Sequence, residues 1–234
     1  MHEGHRQRVR ERFLREGLSG FSDRDALELL LFYAIPKGDV VPLAARLLER
    51  FGSLCGVLEA ETAELTRVPG VGPYTAVLLH LAPALFGRYE QSRLGARPKL
   101  ANLEASLPYV RALFRGAAEE RLYLLCLDAS GTLMETILLA RGALSEVALT
   151  PREVVRQALG ARAHAAVLVH NHPGGLAAPS GADVAATRRV IDALTAVDIR
   201  ALDHLIVTDQ AVYSMSRGGI CPETAEKEEA CTES

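Results

Sequence analysis

The sequence predicts an α+β protein, with an all-helical amino-terminal module followed by a mixed α/β domain. Three observations carry this prediction. Apolar residues recur at helical spacing from Ser22 to about Tyr89. A polar run from Arg88 to Asn102 (RYEQSRLGARPKLAN), with Gly95 and Pro98 inside it, then breaks the period. Beyond that run the apolar segments are short and either alternate or run solid, as strands do. The predicted organisation is a helical module over 1–90, a linker over 91–102, a second domain over 103–219 and an acidic tail over 220–234 that lacks any apolar period and is expected to be disordered.

In the first module, Ser22 or Asp23 is placed to cap a helix whose apolar face begins with Ala26, Leu27, Leu29, Leu30 and Leu31. Pro36-Lys37-Gly38-Asp39 breaks that helix. Helical spacing resumes over Val41 to Phe51 and stops at Gly52. A third helix is expected over Glu61 to Arg67, then a tight turn at Pro69-Gly70-Val71-Gly72 and a fourth helix over Thr75 to Tyr89. In the second domain, Leu122 to Leu127 and Leu133 to Leu139 flank the turn Asp128-Ala129-Ser130-Gly131, the pattern of a β-hairpin. Thr150-Pro151-Arg152-Glu153 offers a cap, a proline at the first helical position and a Glu two residues later, and starts a helix running to about Leu159. Ala165 to His170 reads as a buried strand, Ser180 to Thr195 as a helix, and Ala201 to Val207 and Ala211 to Met215 as closing strands.

Composition narrows the function classes. A chain of 234 residues buries enough apolar surface to fold without staples. Its cysteines, Cys55, Cys126, Cys221 and Cys231, are scattered with no C-x-x-C pair, and read as reduced thiols. The opening residues Glu3, His5, Arg6, Arg8 and Arg10 are charged or polar where a signal peptide needs an apolar core. The longest apolar runs, Leu29 to Ile35 and Ala76 to Phe86, are too short or interrupted to cross a bilayer. A cytoplasmic protein without a membrane span is expected. The net charge of −3 hides a basic opening (Arg6, Arg8, Arg10, Arg12, Arg15) and an acidic end (Glu223, Glu226, Glu228, Glu229, Glu233). The opening fits either a basic binding face or a solvated helix with Glu3, Glu11 and Glu16 as partners.

The chemistry concentrates in His170-Asn171-His172-Pro173 and Ser180-Gly181-Ala182-Asp183. Residues two apart on a strand project to one face, so His170 and His172 can aim their rings at one point. Asp183, at the start of the next helix, is placed to add an oxygen ligand. Two imidazoles and a carboxylate leave one position open, the arrangement of catalytic zinc, which holds a water there and lowers its pKa toward about 7. Ser180-x-x-Asp183 is also an N-terminal capping pattern, which explains both residues without a metal.

The full spacing, His170-x-His172-Pro173, six residues, then Ser180-x-x-Asp183, resembles the signature of the JAB/MPN (JAMM) metallopeptidases. The variant it resembles most is the RadC family. Leu127-Asp128, Arg141-Gly142, Pro151-Arg152-Glu153-Val154, His170 to Gly175 and Leu202-Asp203-His204 look like that family's landmarks in order, and Gly4-His5-Arg6 with Leu29 to Pro36 resemble one bacterial branch of it. The resemblance implies a JAB/MPN fold, of the cytidine-deaminase-like class, behind a helix-hairpin-helix module. It implies zinc held by His170, His172 and Asp183, hydrolysis of a peptide or isopeptide bond in an unidentified substrate, and a traditional association with DNA repair. Ser180 would hydrogen-bond the substrate oxyanion. The family's upstream catalytic carboxylate falls best on Glu120, just before Leu122 to Leu127, with adjacent Glu119 as the rival. His164 is read as a surface residue and His204 as a strand-edge residue, with contact of Asp203-His204 to the fold's active face as the alternative.

Neither an HNH nuclease, whose residues are spread along a ββα unit, nor a cytidine deaminase, which needs H-x-E and P-C-x-x-C, fits the sequence. Val68-Pro69-Gly70-Val71-Gly72 looks like a helix-hairpin-helix loop, whose backbone at Gly70, Val71 and Gly72 would meet a DNA phosphate without sequence preference. A corner used for packing or protein contacts fits it equally, because Pro73 has no N–H and Tyr74-Thr75 stand where such loops often carry a basic residue.

Overall fold

The computed structural model describes residues 2–100, 102–142 and 150–221. The chain separates into two compact units, Met1–Gly87 and Arg88–Ser234.

The first unit is helical. Helices α1 (His2–Glu16), α2 (Asp23–Ala34), α3 (Val41–Phe51), α4 (Leu54–Glu59) and α5 (Thr62–Leu65) precede α6 (Pro73–Arg93). Ser22 caps α2 in a full capping box with Asp25, a device that contributes about 1 kcal/mol. The apolar faces of these helices enclose Leu27, Leu31, Leu43, Leu47, Val57, Leu65, Ala76 and Leu79. The helix expected over Glu61 to Arg67 is present but shorter, as α5, and α4 before it was not expected. The hydroxyl of Ser53 accepts the Gly56 amide and starts α4, and α5 is only a single turn. Helix α6 begins at Pro73 and runs to Arg93, beyond the expected end at Tyr89, with Pro83 inside it.

The second unit has a sheet with helices on both faces. Helix α7 (Leu103–Leu113) leads to β1 (Arg121–Leu127), β2 (Leu133–Arg141), α8 (Pro151–Gly160), β3 (Ala165–Asn171), α9 (Gly181–Thr195), β4 (Arg200–Val207), β5 (Val212–Ser214) and β6 (Gly219–Cys221). The strands form one six-stranded sheet in the order β2-β1-β3-β4-β5-β6. β3 and β4 run parallel, joined through α9, and the other pairs are antiparallel. Alternation divides the core. Leu125, Leu127, Val167 and Val169 pack with Leu107, Val110 and Phe114 on the α7 side. Leu122, Leu124, Ala166 and Leu168 pack with Val154 and Ala158 of α8 and with Val190 and Leu194 of α9. β3 is buried along its whole length, because both faces are covered.

Four details depart from expectation. The segment expected to be a linker is partly helical and partly strapped to the hairpin, with Leu100 N–H donating to Gly131 O and Leu133 N–H to Pro98 O. Helix α7, capped by Asn102, follows it directly. Thr150 makes no side-chain cap, and the Glu153 carboxylate accepts from Arg156 and Gln157 rather than reaching back to it. β6 carries ordered structure to Cys221, so the expected tail shortens, and its remainder at 222–234 lies outside the described residues.

Candidate metal centre

His170 lies at the end of β3 and its parity matches Ala166 and Leu168, so it sits on the sheet face covered by α9. His172 follows on the same face. The chain then turns back on itself: Gly174 adopts φ 62°, and the Gly175 amide donates to His172 O. A Cβ on Gly175 would come within 3.1 Å of the His172 Cβ, so a side chain there would crowd this turn. The turn places the Leu176 carbonyl 3.0 Å from His172 Nδ1. A carbonyl only accepts, so Nδ1 carries the hydrogen and Nε2 of the neutral ring presents its lone pair.

That Nε2 lies 2.8 Å from His170 Nε2. The Asp183 carboxylate approaches both, with Oδ1 3.6 Å from His170 Nε2 and Oδ2 3.8 Å from His172 Nε2. One ligand atom from each of these residues lies within 4.8 Å of the others, and this is the metal-binding type of cluster found among the described residues. His170 is fully buried and its imidazole pKa is lowered to about 4, chiefly by burial, with Asp183 opposing the shift and His172 reinforcing it. Burial alone would push the Asp183 carboxyl up, but hydrogen bonds from Ser180 and the nearby histidines leave it below its ordinary value. The cluster is thus an anionic carboxylate and two imidazole nitrogens converging on one point, a donor set that calls for a cation or a shared proton. Its chemistry fits zinc, which accepts nitrogen and carboxylate ligands, better than calcium or magnesium, which prefer all-oxygen shells.

Ser180 and Asp183 also form the capping box of α9. The Ser180 hydroxyl accepts from the Asp183 amide and donates to Asp183 Oδ2, which also accepts the Ser180 amide. Cap and ligand set are therefore compatible, because Oδ1 still faces the histidines. The cap alone is worth about 1 kcal/mol, so Ser180→Ala is expected to lower the melting temperature modestly and to loosen Asp183, which a thermal melt and a metal titration would register together.

Glu119 and Glu120 lie immediately before β1. Glu119 Oε1 is 3.5 Å from Arg121 and 3.8 Å from Arg141. Leu122 pairs with His170 across the β1–β3 ladder, and Gly142 N–H donates to Glu120 O, extending the hairpin pairing past the strand end. Alternation then puts Glu120 on the same face as Leu122, His170 and His172.

Three further residues stand at the site, of which Thr187 and Asn171 escaped sequence reasoning as functional candidates and His204 entered it only as an alternative. His204, expected at a strand edge, is 3 % exposed on β4, an interior strand of the sheet, with Nε2 2.7 Å from His170 Nδ1. Its pKa is lowered to about 3, first by burial and then by His170. Thr187 of α9 contacts the other side of His204, 2.5 Å from Nδ1. Asn171, within the motif itself, clamps the entrance of β1, its Oδ1 accepting the Arg121 amide at 2.7 Å and its Nδ2 donating to Glu119 O at 3.1 Å. The signal for His204 is a histidine in the middle of the strand RALDHLIV, a polar group whose burial demands a partner. His164 is exposed, as expected.

Gly70, Val71 and Gly72 belong to the first unit, between α5 and α6, and take no part in this cluster. Gly70 has φ 99°, a conformation reserved for glycine, and a Cβ on Gly72 would meet nothing. Arg46 of α3 donates to Pro69 O at 3.1 Å, so a cation from another helix stands beside the turn.

Residues 100–220 match the model of the RadC-like JAB domain, which takes in the sheet and the whole His-His-Asp cluster. The chain belongs to the RadC family. Residues 3–77 match the UPF0758 N-terminal model, which accounts for most of the helical unit. A UPF0758 protein of Rhodobacter capsulatus is 41 % identical over 199 residues, 85 % of this chain and 93 % of that one. A UPF0758 protein of Bordetella parapertussis is 40 % identical over 210 residues, covering 90 % and 93 %, and one of Methylibium petroleiphilum is 38 % identical over 213 residues, covering 91 % and 96 %. At the family level the RadC-like JAB domain supports a JAMM-like hydrolase, and the triad of His170, His172 and Asp183 is compatible with a zinc site. No helix among the described residues is long and apolar enough to cross a membrane.

Proposed function

We propose that this RadC-family chain is a zinc-dependent hydrolase that cleaves a peptide or isopeptide bond. The observation that carries the reading is the convergence of two imidazole nitrogens, 2.8 Å apart, on the Asp183 carboxylate at the end of a buried strand. His170, His172 and Asp183 would hold the ion. When bound, zinc supplies Lewis acidity, polarising a substrate carbonyl and making water acidic enough to attack near neutral pH.

The chain's own residues do the rest. Glu120, on the histidine face, takes the proton from the attacking water and returns it to the leaving amine. Glu119, held toward Arg121 and Arg141, balances their charge. Asn171 fixes the backbone that carries both glutamates, so the base is held relative to the ligands by two hydrogen bonds rather than by loop packing. Ser180 orients Asp183 through its hydroxyl, and it stabilises a substrate oxyanion only when that hydroxyl turns away from Oδ2. The reading places the protein in the cytoplasm, in keeping with the free buried thiols Cys126 and Cys221. The test is elemental analysis of the purified chain together with an unbiased peptide-cleavage screen, in which one zinc per chain and metal-dependent cleavage are expected. Protein free of zinc and inert across the screen would refute it.

A second activity of the helical unit is favoured by one observation, the Arg46 guanidinium beside the turn at Gly70. We infer weak, sequence-indifferent DNA binding through the backbone at Gly70, Val71 and Gly72, the kind of contact a DNA-repair role would need. Affinity is expected to fall steeply as salt rises, because phosphate contacts release counterions. Gly72→Leu fills open space without straining the backbone, so it is expected to abolish binding at an unchanged melting temperature. Wild-type affinity in that variant, measured by fluorescence anisotropy on duplexes of unrelated sequence, would remove the turn from the interface.

A further inference from the structure

We propose that Thr187 and His204 form a one-way hydrogen-bond relay that locks His170 in the tautomer whose Nε2 lone pair faces the metal site, which makes both of them positioning residues. The proposal deepens the zinc reading and rests on it.

The direction of the relay follows from counting hydrogens. Thr187 Oγ1 lies 2.6 Å from the backbone carbonyl of Asp183, one helical turn earlier. A carbonyl accepts only, and a hydroxyl has a single hydrogen, so that hydrogen goes to Asp183 O. The Met215 thioether at 3.6 Å is a more distant and weaker acceptor that does not compete. Toward His204, Thr187 Oγ1 can then only accept, so His204 Nδ1 carries the hydrogen of the 2.5 Å contact. His204 is buried and its ring holds one hydrogen when neutral, which leaves Nε2 bare. His170 Nδ1, 2.7 Å away, must therefore donate to it. The single hydrogen of neutral His170 is spent there, so His170 Nε2 and His172 Nε2 meet lone pair to lone pair beside Asp183, a contact that a cation or a shared proton must bridge.

Reversing any one bond reverses the whole chain. If the Thr187 hydroxyl donated to His204 instead, His204 Nε2 would carry a hydrogen, His170 Nδ1 would be bare, and His170 Nε2–H would block the metal position. The back-bond from Thr187 to its own helix is what sets the direction. The relay thus begins at the backbone of one ligand, Asp183, and ends at the ring of another, His170. Outer groups that fix a ligand histidine's tautomer typically contribute 10–100-fold in metal affinity.

The test uses the full chain with Thr187→Val, which keeps shape and loses the hydroxyl, and Thr187→Ser, which keeps the hydroxyl. Zinc affinity is read by competition with a chromophoric chelator, and histidine tautomers are read by long-range nitrogen–proton NMR on metal-free protein. Wild type is expected to show Nδ1–H for both His170 and His204. Thr187→Val is expected to bind zinc about 10–100-fold more weakly and to populate the Nε2–H form of His204, with Thr187→Ser restoring wild-type values. An Nε2–H tautomer for His204 or His170 in wild type, or wild-type zinc affinity in a folded Thr187→Val, would overturn the relay. Should Thr187→Val fail to fold, the wild-type tautomers decide alone. If wild type takes up no zinc, the parent reading fails separately, since the tautomers are read without metal.

Discussion

Glu120→Gln is expected to lower peptide hydrolysis by roughly a hundredfold or more, the size of a lost general base, while zinc content and melting temperature stay near wild type. The substitution keeps the shape and removes the basic oxygen. Glu120 stands two residues before Leu122, whose cross-strand partner is His170, and so shares the face of the ligand histidines. Glu119→Gln is the matched control. It removes a charge that lies 3.5 Å from Arg121 and 3.8 Å from Arg141, contacts that are partly exposed and worth little. A control that loses activity while Glu120→Gln keeps it would move the base by one residue, and full activity in both would place the carboxylate elsewhere. Loss of zinc in Glu120→Gln would make the residue a ligand or a support and end the division of labour proposed here.

The second large effect is expected from the ligands. Asp183→Asn keeps an oxygen that can accept the Ser180 hydrogen bonds, so α9 should stay capped, but it removes the negative charge that faces His170 and His172. Zinc affinity should fall by more than the 10–100-fold typical of a lost outer-shell partner, because a ligand itself is weakened. His170→Ala should lose the ion outright and leave His204 Nε2 without its partner, with a further cost in stability of about 1–3 kcal/mol for the buried orphan. Inductively coupled plasma analysis of purified variants is the measurement. Metal content unchanged in both would show that these residues are not the ligands.

Much of this was legible along the chain. Capping residues and periodicity located α2, α3 and the β1–β2 hairpin closely, since each depends on neighbours a few residues away. The His-x-His spacing on a strand end and the acidic residue at a helix start pointed to His170, His172 and Asp183 for the same reason. The short helix α4 went unread and α5 was drawn too long, because one or two turns carry too little periodicity to register. The polar run before residue 102 read as a linker because polarity marks solvent contact, not the absence of hydrogen-bonded structure.

Sequence by itself pointed to helices followed by a sheet with its helices and to the grouping of His170, His172 and Asp183, readings that rest on local alternation, spacing and motif. Only the tertiary structure decided what stands behind that cluster. His204 reaches His170 across 34 residues, Asn171 grips the Arg121 amide across 50, and Arg46 approaches the Gly70 turn from another helix. The physical reason is that a periodic pattern says which face a side chain occupies. Which distant group shares that face is set by strand pairing and helix packing, and those follow from burying the whole core at once.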